Sequence, residues 1–512
     1  MRGAGELHAA IARASEVGDM IELRLDCLPD ETQLERATQE LPALFRERTR
    51  PLILTFRPSA QGGGQASEAS NLGRRVRFWS ENFSPGNELA DYADLELDLV
   101  AHLKAVEVGR AQKLIDWNKV ICSHHDFAGV PADLDRIFAR MLETPARILK
   151  IAVGARDITD CLPVLSLLEP AARAGREMIA VAMGEAGLLT RILAPARGAF
   201  LTFGALAREQ ATAPGQTPAR ELRDLYRVHA INEGTEIMGL VGSPVAHSVS
   251  PHMHNAAFAT RSLNAVYLPF EVGDVNAFIR RMAHPRTREL DWNLRGLSVT
   301  APHKSAIIGL LDSIEPAAQE IGAVNTVVIE DDALRGYNTD AAAALAPLVN
   351  LIELRRARVA VLGAGGAARA VLWSLREAGS LATVFARNVE RARPTAEKFD
   401  AECRTLDDAR FENFDLVINT TPLGTLGTRE TETPAVAFQL RGARAAYDLV
   451  YNPAETRFMR ESRAAGCEII LGGLPMLVAQ AAAQFKLWIR QDAPFDVMRA
   501  AAEKQRLEIR GQ

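Results

Sequence analysis

Arg358-Val-Ala-Val-Leu362 runs straight into Gly363-Ala-Gly365-Gly366-Ala367-Ala368, and a helical pattern through Val371, Leu372 and Leu375 then continues to Gly379. An apolar five-residue strand, a G-x-G-x-x-A turn and a helix in that order predict a dinucleotide-binding unit. The glycines allow a tight turn and close approach of a pyrophosphate, and the helix N-terminus supplies N–H donors and positive potential. Gly363, Gly365, Gly366 and Ala367 are therefore candidate cofactor residues. The next apolar run, 381–386, ends in Arg387 and Asn388 with Arg391 following, where an NAD site would carry an acidic residue for the ribose. A guanidinium there suits a ribose 2′-phosphate, so NADP is expected; the competing reading is two solvated surface arginines.

Outward from this unit the chain divides into dissimilar parts. Over residues 20–205, short apolar runs at 21–25, 52–56, 93–97, 119–123, 147–152, 178–183 and 199–203 alternate with helical stretches. That alternation predicts parallel βαβ units with both sheet faces covered. Polar residues stand at the ends of these runs: Arg24 and Asp26, Arg57, Glu96, His125 and Lys150. In a (β/α)8 barrel such ends form the active-site mouth, although only seven strands can be counted. Residues 211–231, with Pro214, Gly215 and Pro218, read as a final barrel helix before a boundary near 232. The expected α/β organisation is a barrel over 1–231, an α/β substrate domain over 232–345 and a Rossmann domain over 346–471. A helical segment, 472–505, packs back onto the substrate domain.

Bulk properties narrow the function classes. The 512 residues exceed one ordinary domain. A net charge of -5 gives no electrostatic reason to expect nucleic acid or an anionic membrane as partner. Five scattered cysteines without a C-x-x-C pair point to reduced thiols and away from structural zinc, so no metal is expected. No apolar run approaches the ~20 residues of a membrane span, and the first six residues lack the apolar core of a signal peptide. The expectation is a cytoplasmic enzyme acting on small molecules, with the oligomeric state left open.

The second half resembles the shikimate dehydrogenases in seven motifs that follow one another across about 237–490. They are Gly242-Ser-Pro-Val-Ala-His-Ser248-Val-Ser250-Pro, Gly296-Leu-Ser298-Val-Thr300-Ala-Pro-His-Lys304, Gly322-Ala-Val-Asn325-Thr, Gly336-Tyr-Asn-Thr-Asp340, Asn419-Thr420-Thr-Pro-Leu-Gly424, Tyr447-Asp-Leu-Val-Tyr451-Asn-Pro and Gly472-Gly473-Leu-Pro-Met476-Leu-Val-Ala-Gln480. Two serine hydroxyls one residue apart can both donate to a small carboxylate. The resemblance implies that Ser248 and Ser250 hold the substrate carboxylate with Tyr451 nearby. It implies that Lys304 is the acid/base and that Asp340 positions it and binds a ring hydroxyl. Thr300, Asn325 and Gln480 would bond other hydroxyls, and Thr420, Gly473 and Met476 would line the cofactor. Ser298 stands where many members carry asparagine, which leaves quinate open as an additional substrate.

The first half resembles the type I 3-dehydroquinate dehydratases through Glu22-Leu-Arg24-Leu-Asp26, Thr55-Phe-Arg57, Ser123-His-His125-Asp-Phe127, Lys150-Ile-Ala-Val, Met183-Gly followed by Arg191, and Thr212-Ala-Pro-Gly-Gln216. That family forms a Schiff base on a barrel lysine, which maps onto Lys150, with His125 as the matching acid/base. Arg191, Thr212 and Gln216 would hold the substrate, and Glu22, Arg24 and Arg57 would organise the mouth. Gln61-Gly-Gly replaces the family's Glu-Gly-Gly, removing a carboxylate. The first strand of the family should precede Glu22 by some twenty residues, where this chain begins at a helical pattern over 6–17; a mis-assigned start is the expected reason. The resulting expectation is a bifunctional enzyme that dehydrates 3-dehydroquinate to 3-dehydroshikimate and reduces that product to shikimate with NADPH. The alternative is an active shikimate or quinate/shikimate dehydrogenase carrying a catalytically impaired barrel as a binding or structural module.

Overall fold

A computed structural model describes residues 6–63, 71–86, 89–108 and 114–511 and divides into two compact units, Met1–Gly234 and Thr235–Gln512. The first unit carries strands β1 (Ile21–Arg24), β2 (Leu52–Thr55), β3 (Tyr92–Glu96), β4 (Val120–Asp126), β5 (Ile148–Gly154) and β6 (Glu177–Met183). They form one parallel sheet in chain order, with helices between successive strands. The helix Glu31–Glu47 shows why these connections cover the sheet. Asp30 caps it by accepting from the Gln33 N–H at 2.9 Å, and Leu34, Ala37, Leu41 and Leu44 form its buried stripe. Ile53, Ile121, Ile148, Ile179 and Val181 meet on the inner face of the sheet, where Tyr92, Phe200 and Phe203 pack against them.

Three expectations change here. Strands β4 and β5 run farther than their apolar runs, because the ladder continues through Ser123↔Lys150, His124↔Ile151 and His125↔Ala152. His125 and Lys150 thus sit within paired strands. The run 199–203 is not a strand. Its Phe200 N–H bonds Met178 O at 2.8 Å, but the Phe203 carbonyl accepts from Arg191 at 3.1 Å, and its side chains fill the interior. Among the described residues no strand precedes β1, and the helix there spans Leu7–Ser15. The long helix expected over 211–231 is also absent; Ala219–Asp224 is α-helical and Val228–Ala230 forms a 3-10 turn. Pro214 and Pro218 interrupt it, and Gly215 has a φ of +62° with its Cα so close to Gly184 that a Cβ would lie 2.2 Å from a backbone carbon.

The second unit holds two sheets. Strands β7 (Glu236–Gly242), β8 (Ala265–Glu271), β9 (Leu294–Val299), β10 (Ser313–Ile314), β11 (Thr326–Glu330) and β12 (Ala333–Tyr337) are ordered β10-β12-β11-β9-β7-β8. Strand β11 is antiparallel to β9 and β12, so its first residue, Thr326, pairs with Ser298 near the end of β9 and with Tyr337 at the end of β12. Strands β13 (Arg358–Leu362), β14 (Leu381–Ala386), β15 (Glu402–Thr405), β16 (Leu416–Asn419), β17 (Ala445–Asp448) and β18 (Ile469–Leu471) form a parallel sheet ordered β15-β14-β13-β16-β17-β18. That is the doubly wound order, with its direction reversing between β13 and β16.

The chain then returns to the first of these sheets. Helices Leu474–Ile489 and Phe495–Gly511 place Leu474, Val478, Ala481, Phe485, Met498 and Ala502 in one core with Met238, Leu240, Met253, Phe258 and Tyr267. Phe485 is fully buried and its ring stacks against Phe258 at 5.7 Å. Phe485→Ala should therefore destabilise the second unit by about 3–5 kcal/mol. Urea unfolding of the full chain should show that unit's transition at lower denaturant and the other transition unmoved.

Candidate active sites

In the first unit a cavity opens where Glu22, Arg24, Arg57, His125, Lys150 and Arg191 converge, with Thr212 and Gln216 also on its wall. All eight residues expected at this site line it. Lys150, 4% exposed, donates to Asp94 Oδ2 at 2.6 Å, lies 3.9 Å from Glu22 Oε1 and sits 4.2 Å from the centre of the Phe203 ring. Burial pulls its pKa below the ordinary lysine value, and Asp94 and Glu22 oppose that shift. Asp94 also accepts from Arg57 at 2.7 Å, and its carboxyl is held well below its usual range by Arg57 and Lys150 against the cost of burial. Burial, together with the Arg57 and Lys150 charges, pushes His125 well below the ordinary histidine value. His125 is thus a neutral imidazole at pH 7, able to take a proton, and its Nδ1 is buried without a hydrogen-bond partner among the described residues.

Arg191 is a different kind of buried cation. It is 2% exposed, its Nε has no partner among the described residues, and burial alone lowers its pKa to about 10, which still leaves it charged at pH 7. A desolvated guanidinium in a cavity wall, with no carboxylate paired to it among the described residues, suits an anionic ligand. Thr212 and Gln216 lie on the same wall, joined by the Thr212 N–H to Gln216 Oε1 at 2.9 Å. Arg24 is fixed by Asp26 at 2.7 Å and by the Gly62 carbonyl at 2.9 Å, and Glu22 accepts from Thr55 at 2.7 Å. Gln61, where the resemblance expects a carboxylate, has a buried Oε1 with no partner among the described residues.

Asp94 escaped the reading of the sequence, although its signal was present. In Tyr92-Ala-Asp-Leu-Glu96, two carboxylates interrupt a strand that has neighbours on both sides. Behind it Glu96 accepts from Arg75 at 2.6 Å and lies 3.7 Å from Arg57, and burial pushes its carboxyl up to about 7.

In the second unit, the ends of β7, β9 and β12 and the start of β11 share one edge of the sheet, and Ser248, Ser250, Thr300, Lys304, Asn325 and Asp340 stand in the segments at those strand ends. Ser248 and Ser250 follow β7, linked by the Ser250 N–H to Ser248 Oγ at 3.2 Å; Ser250 is buried at the start of the helix Ser250–Thr260. Thr300 follows β9, its N–H bonded to Val241 O at 2.9 Å. Lys304 donates to Asp340 Oδ2 at 2.5 Å, with side-chain exposures of 23% and 9%. Asn325 donates to Asp340 Oδ1 at 2.8 Å and to Thr339 Oγ1 at 2.9 Å, and its Oδ1 accepts from the Thr339 N–H at 2.8 Å and the Thr326 hydroxyl at 2.8 Å. Both amide protons of Asn325 are therefore engaged within the protein. Gln480 is turned onto its own helix, donating to Leu477 O at 2.9 Å. Tyr451, partly buried, follows β17, and its carbonyl accepts from Arg506 at 3.4 Å.

The glycine turn opens at the switch between β13 and β16. Gly363 has a φ of +107°, and a Cβ there would lie 2.9 Å from the Thr420 hydroxyl, which itself donates to Leu362 O at 2.7 Å. A Cβ at Gly365 would face open space, and the helix Gly366–Glu377 begins at the next residue. That leaves a backbone cradle a phosphate can approach. Arg387 and Arg391 are exposed beyond β14, and Asn388 caps the following helix by accepting from the Arg391 N–H at 2.9 Å. Gly473 caps the helix Leu474–Ile489, and Met476 is buried in the core of the β13–β18 sheet.

Among the described residues no helix is long and apolar enough to cross a membrane, and no group of three His, Cys, Asp or Glu side chains is placed to hold a metal ion. A lysine buried among the parallel strands of the first unit beside a neutral histidine, and a doubly wound nucleotide domain joined to a Lys–Asp pair, together define a lyase and a dehydrogenase carried on one chain. A family profile for type I 3-dehydroquinase matches residues 2–233, one for the shikimate dehydrogenase substrate binding domain matches 240–327, and one for the shikimate 5′-dehydrogenase C-terminal domain matches 473–503. The chloroplastic bifunctional 3-dehydroquinate dehydratase/shikimate dehydrogenase of Arabidopsis thaliana is 33% identical over 506 residues, covering 94% of this chain and 80% of its own. The NADP(+) shikimate dehydrogenase of Moorella thermoacetica is 43% identical over 282 residues, 52% of this chain and 92% of its own. A shikimate dehydrogenase crystallised with NADP+ superposes with a TM-score of 0.50 at 36% identity, over 54% of this chain and 97% of its own. The chain belongs to the bifunctional 3-dehydroquinate dehydratase/shikimate dehydrogenase family.

Asp94→Asn removes the carboxylate shared by Lys150 and Arg57, leaving the desolvation of Lys150 less opposed. Its dehydratase turnover should fall on the order of a hundredfold, with shikimate oxidation by the second unit unchanged. The pH at which Lys150 becomes reactive toward an amine-directed reagent should move down, which peptide mass mapping across a pH series would read.

Proposed function

We propose that the chain converts 3-dehydroquinate to 3-dehydroshikimate in its first unit and reduces that product to shikimate with NADPH in its second. The observation that carries the first step is Lys150, buried with a lowered pKa beside a neutral His125 in a cavity that also holds Arg191, whose Nε has no partner among the described residues. Arg191 binds the substrate carboxylate, and Thr212 and Gln216 take hydroxyls. The Lys150 amine adds to the ketone and water leaves, giving an iminium that acidifies the neighbouring C–H. His125 removes that proton and returns it to the departing hydroxyl, which leaves as water; hydrolysis of the iminium frees the product and Lys150. Glu22, Arg24 and Arg57 order the mouth.

In the second unit Ser248 and Ser250 hold the carboxylate, with Tyr451 beside it, and Thr300 and Gln480 reach ring hydroxyls. NADPH supplies the hydride. Lys304 gives the proton to the carbonyl oxygen, and Asp340, anchored by Asn325, aims Lys304. The cradle of Gly363, Gly365, Gly366 and Ala367, with Thr420, Gly473 and Met476, would hold the dinucleotide; Arg387 and Arg391 suit its 2′-phosphate, with Asn388 between them. We assign the barrel to 1–231, the substrate domain to 232–345 with 472–505, and the nucleotide domain to 346–471. Five free cysteines, two of them buried, support a cytoplasmic setting.

The test is a one-pot assay of the purified chain with 3-dehydroquinate and NADPH, which should consume NADPH and yield shikimate. Lys150→Ala should stop it, and added 3-dehydroshikimate should restore it. Borohydride with 3-dehydroquinate should leave a mass adduct on Lys150; no adduct would reject the catalytic barrel and favour a barrel that only binds. Lys304→Ala should abolish turnover of 3-dehydroshikimate while shikimate still binds. Arg387→Asp should raise the KM for NADPH tenfold or more, on the order of one lost charge-assisted hydrogen bond. An unchanged KM would refute the 2′-phosphate assignment.

A further inference from the structure

Beneath the Lys304–Asp340 pair lies a row of buried polar groups. Tyr267, fully buried, donates its hydroxyl to Ser298 Oγ at 2.7 Å, and Ser298 donates to Gln484 Oε1 at 2.8 Å. Gln484, 2% exposed, donates from Nε2 to Thr326 Oγ1 at 3.1 Å and to the Asn325 carbonyl at 3.2 Å. Thr326 donates to Asn325 Oδ1 at 2.8 Å, Asn325 donates to Asp340 Oδ1, and Lys304 donates to Asp340 Oδ2.

Every link in this row has one sense. A hydroxyl that accepts from Gln484 has its single proton left for Asn325 Oδ1, and an amide oxygen so occupied turns its NH2 toward Asp340. The Thr339 N–H fixes the same amide from the other side. Gln484 brings the helix Leu474–Ile489 into the row, gripping both the backbone and the side-chain support of Asn325. Both of its amide protons are spent on protein partners, and its amide oxygen accepts from Ser298.

We propose that Gln484 is a positioning residue for the reduction step, acting through the Thr326 hydroxyl and Asn325 to hold Asp340, and through it Lys304, in the orientation that transfers the proton. The short Ser298 side chain fits this role, because it leaves room for the amide that arrives from the helix. The inference rests on Lys304 and Asp340 being the proton-handling pair.

The experiment measures shikimate oxidation with NADP+ by the full chain in Gln484→Met, Thr326→Val, the double variant and Thr326→Ser. Gln484→Met keeps the length without a donor or an amide acceptor; Thr326→Val keeps the shape without the hydroxyl. Each should lower kcat about tenfold, on the scale of a small misalignment, with the KM for shikimate within about twofold. The double variant should be no slower than either single one, and Thr326→Ser should recover most of the rate. A wild-type kcat in Gln484→Met, a loss confined to KM, or losses that multiply in the double variant would each overturn the proposal. If Gln484→Met does not fold, Thr326→Val decides alone, and a wild-type kcat there overturns it. Lys304→Ala run alongside separates the two levels. Turnover surviving in it defeats the assignment of the pair, whereas an inactive Lys304→Ala beside a fully active Gln484→Met defeats only the role of Gln484.

Discussion

A carboxylate with no exposed surface stands between two buried cations in the first unit: Asp94 bridges Lys150 at 2.6 Å and Arg57 at 2.7 Å. The rest of the site depends on that bridge. Lysine and arginine side chains in a barrel interior are deprived of water, and removing one partner of such a set typically leaves an uncompensated charge costing about 3–5 kcal/mol. The carboxylate keeps the set in place, but its pull on the ammonium is weaker than the desolvation that opposes it, so Lys150 ends below its ordinary pKa. That balance serves an amine that must be neutral when it attacks a ketone. Burial, with the charges of the same two cations, holds His125 neutral, so on the proposed roles one cluster prepares both the nucleophile and the base.

The second unit uses the same pair of residue types at nearly the same separation, but the surroundings differ. Lys304 and Asp340 are 2.5 Å apart with side-chain exposures of 23% and 9%, against 5% and 0% for Lys150 and Asp94. A lysine that hands a proton to a substrate oxygen must recover one from solvent on each turnover, so partial exposure suits it. A Schiff-base lysine needs desolvation, so full burial suits that one. Exposure, more than the identity of the pair, separates the two chemistries.

Much of this was legible in the sequence because local signals carried it. The glycine turn after Arg358–Leu362 falls where strand gives way to helix. Of the polar residues at the ends of apolar runs, Arg24, Arg57, His125 and Lys150 line a cavity, while Asp26 holds Arg24 and Glu96 holds Arg75 behind it. What escaped detection depends on pairing between distant strands. Asp94 becomes a partner of Lys150 only because β3, β4 and β5 lie side by side, 56 residues apart along the chain. Gln484 meets Ser298 across 186 residues, on a helix whose Ala/Gln-rich pattern reads as simple packing. The false seventh strand has the opposite origin. Its apolar composition is that of a strand, yet its carbonyl serves Arg191 and its phenylalanines fill the interior.

Gln61 shows how far a local substitution reaches. A carboxylate close to a histidine raises the basicity of the ring, and an amide in its place does not. In this site His125 already faces Arg57 and Lys150, which lower its pKa, and Asp94, which raises it. Asp94 is an anion available to stabilise a transient imidazolium, and it is already shared between two cations. On the proposed roles, the proton taken from substrate must then be passed on quickly to the leaving hydroxyl. An elimination that takes up and returns one proton within a single cavity meets that demand, whereas a reaction that stored charge on His125 would not.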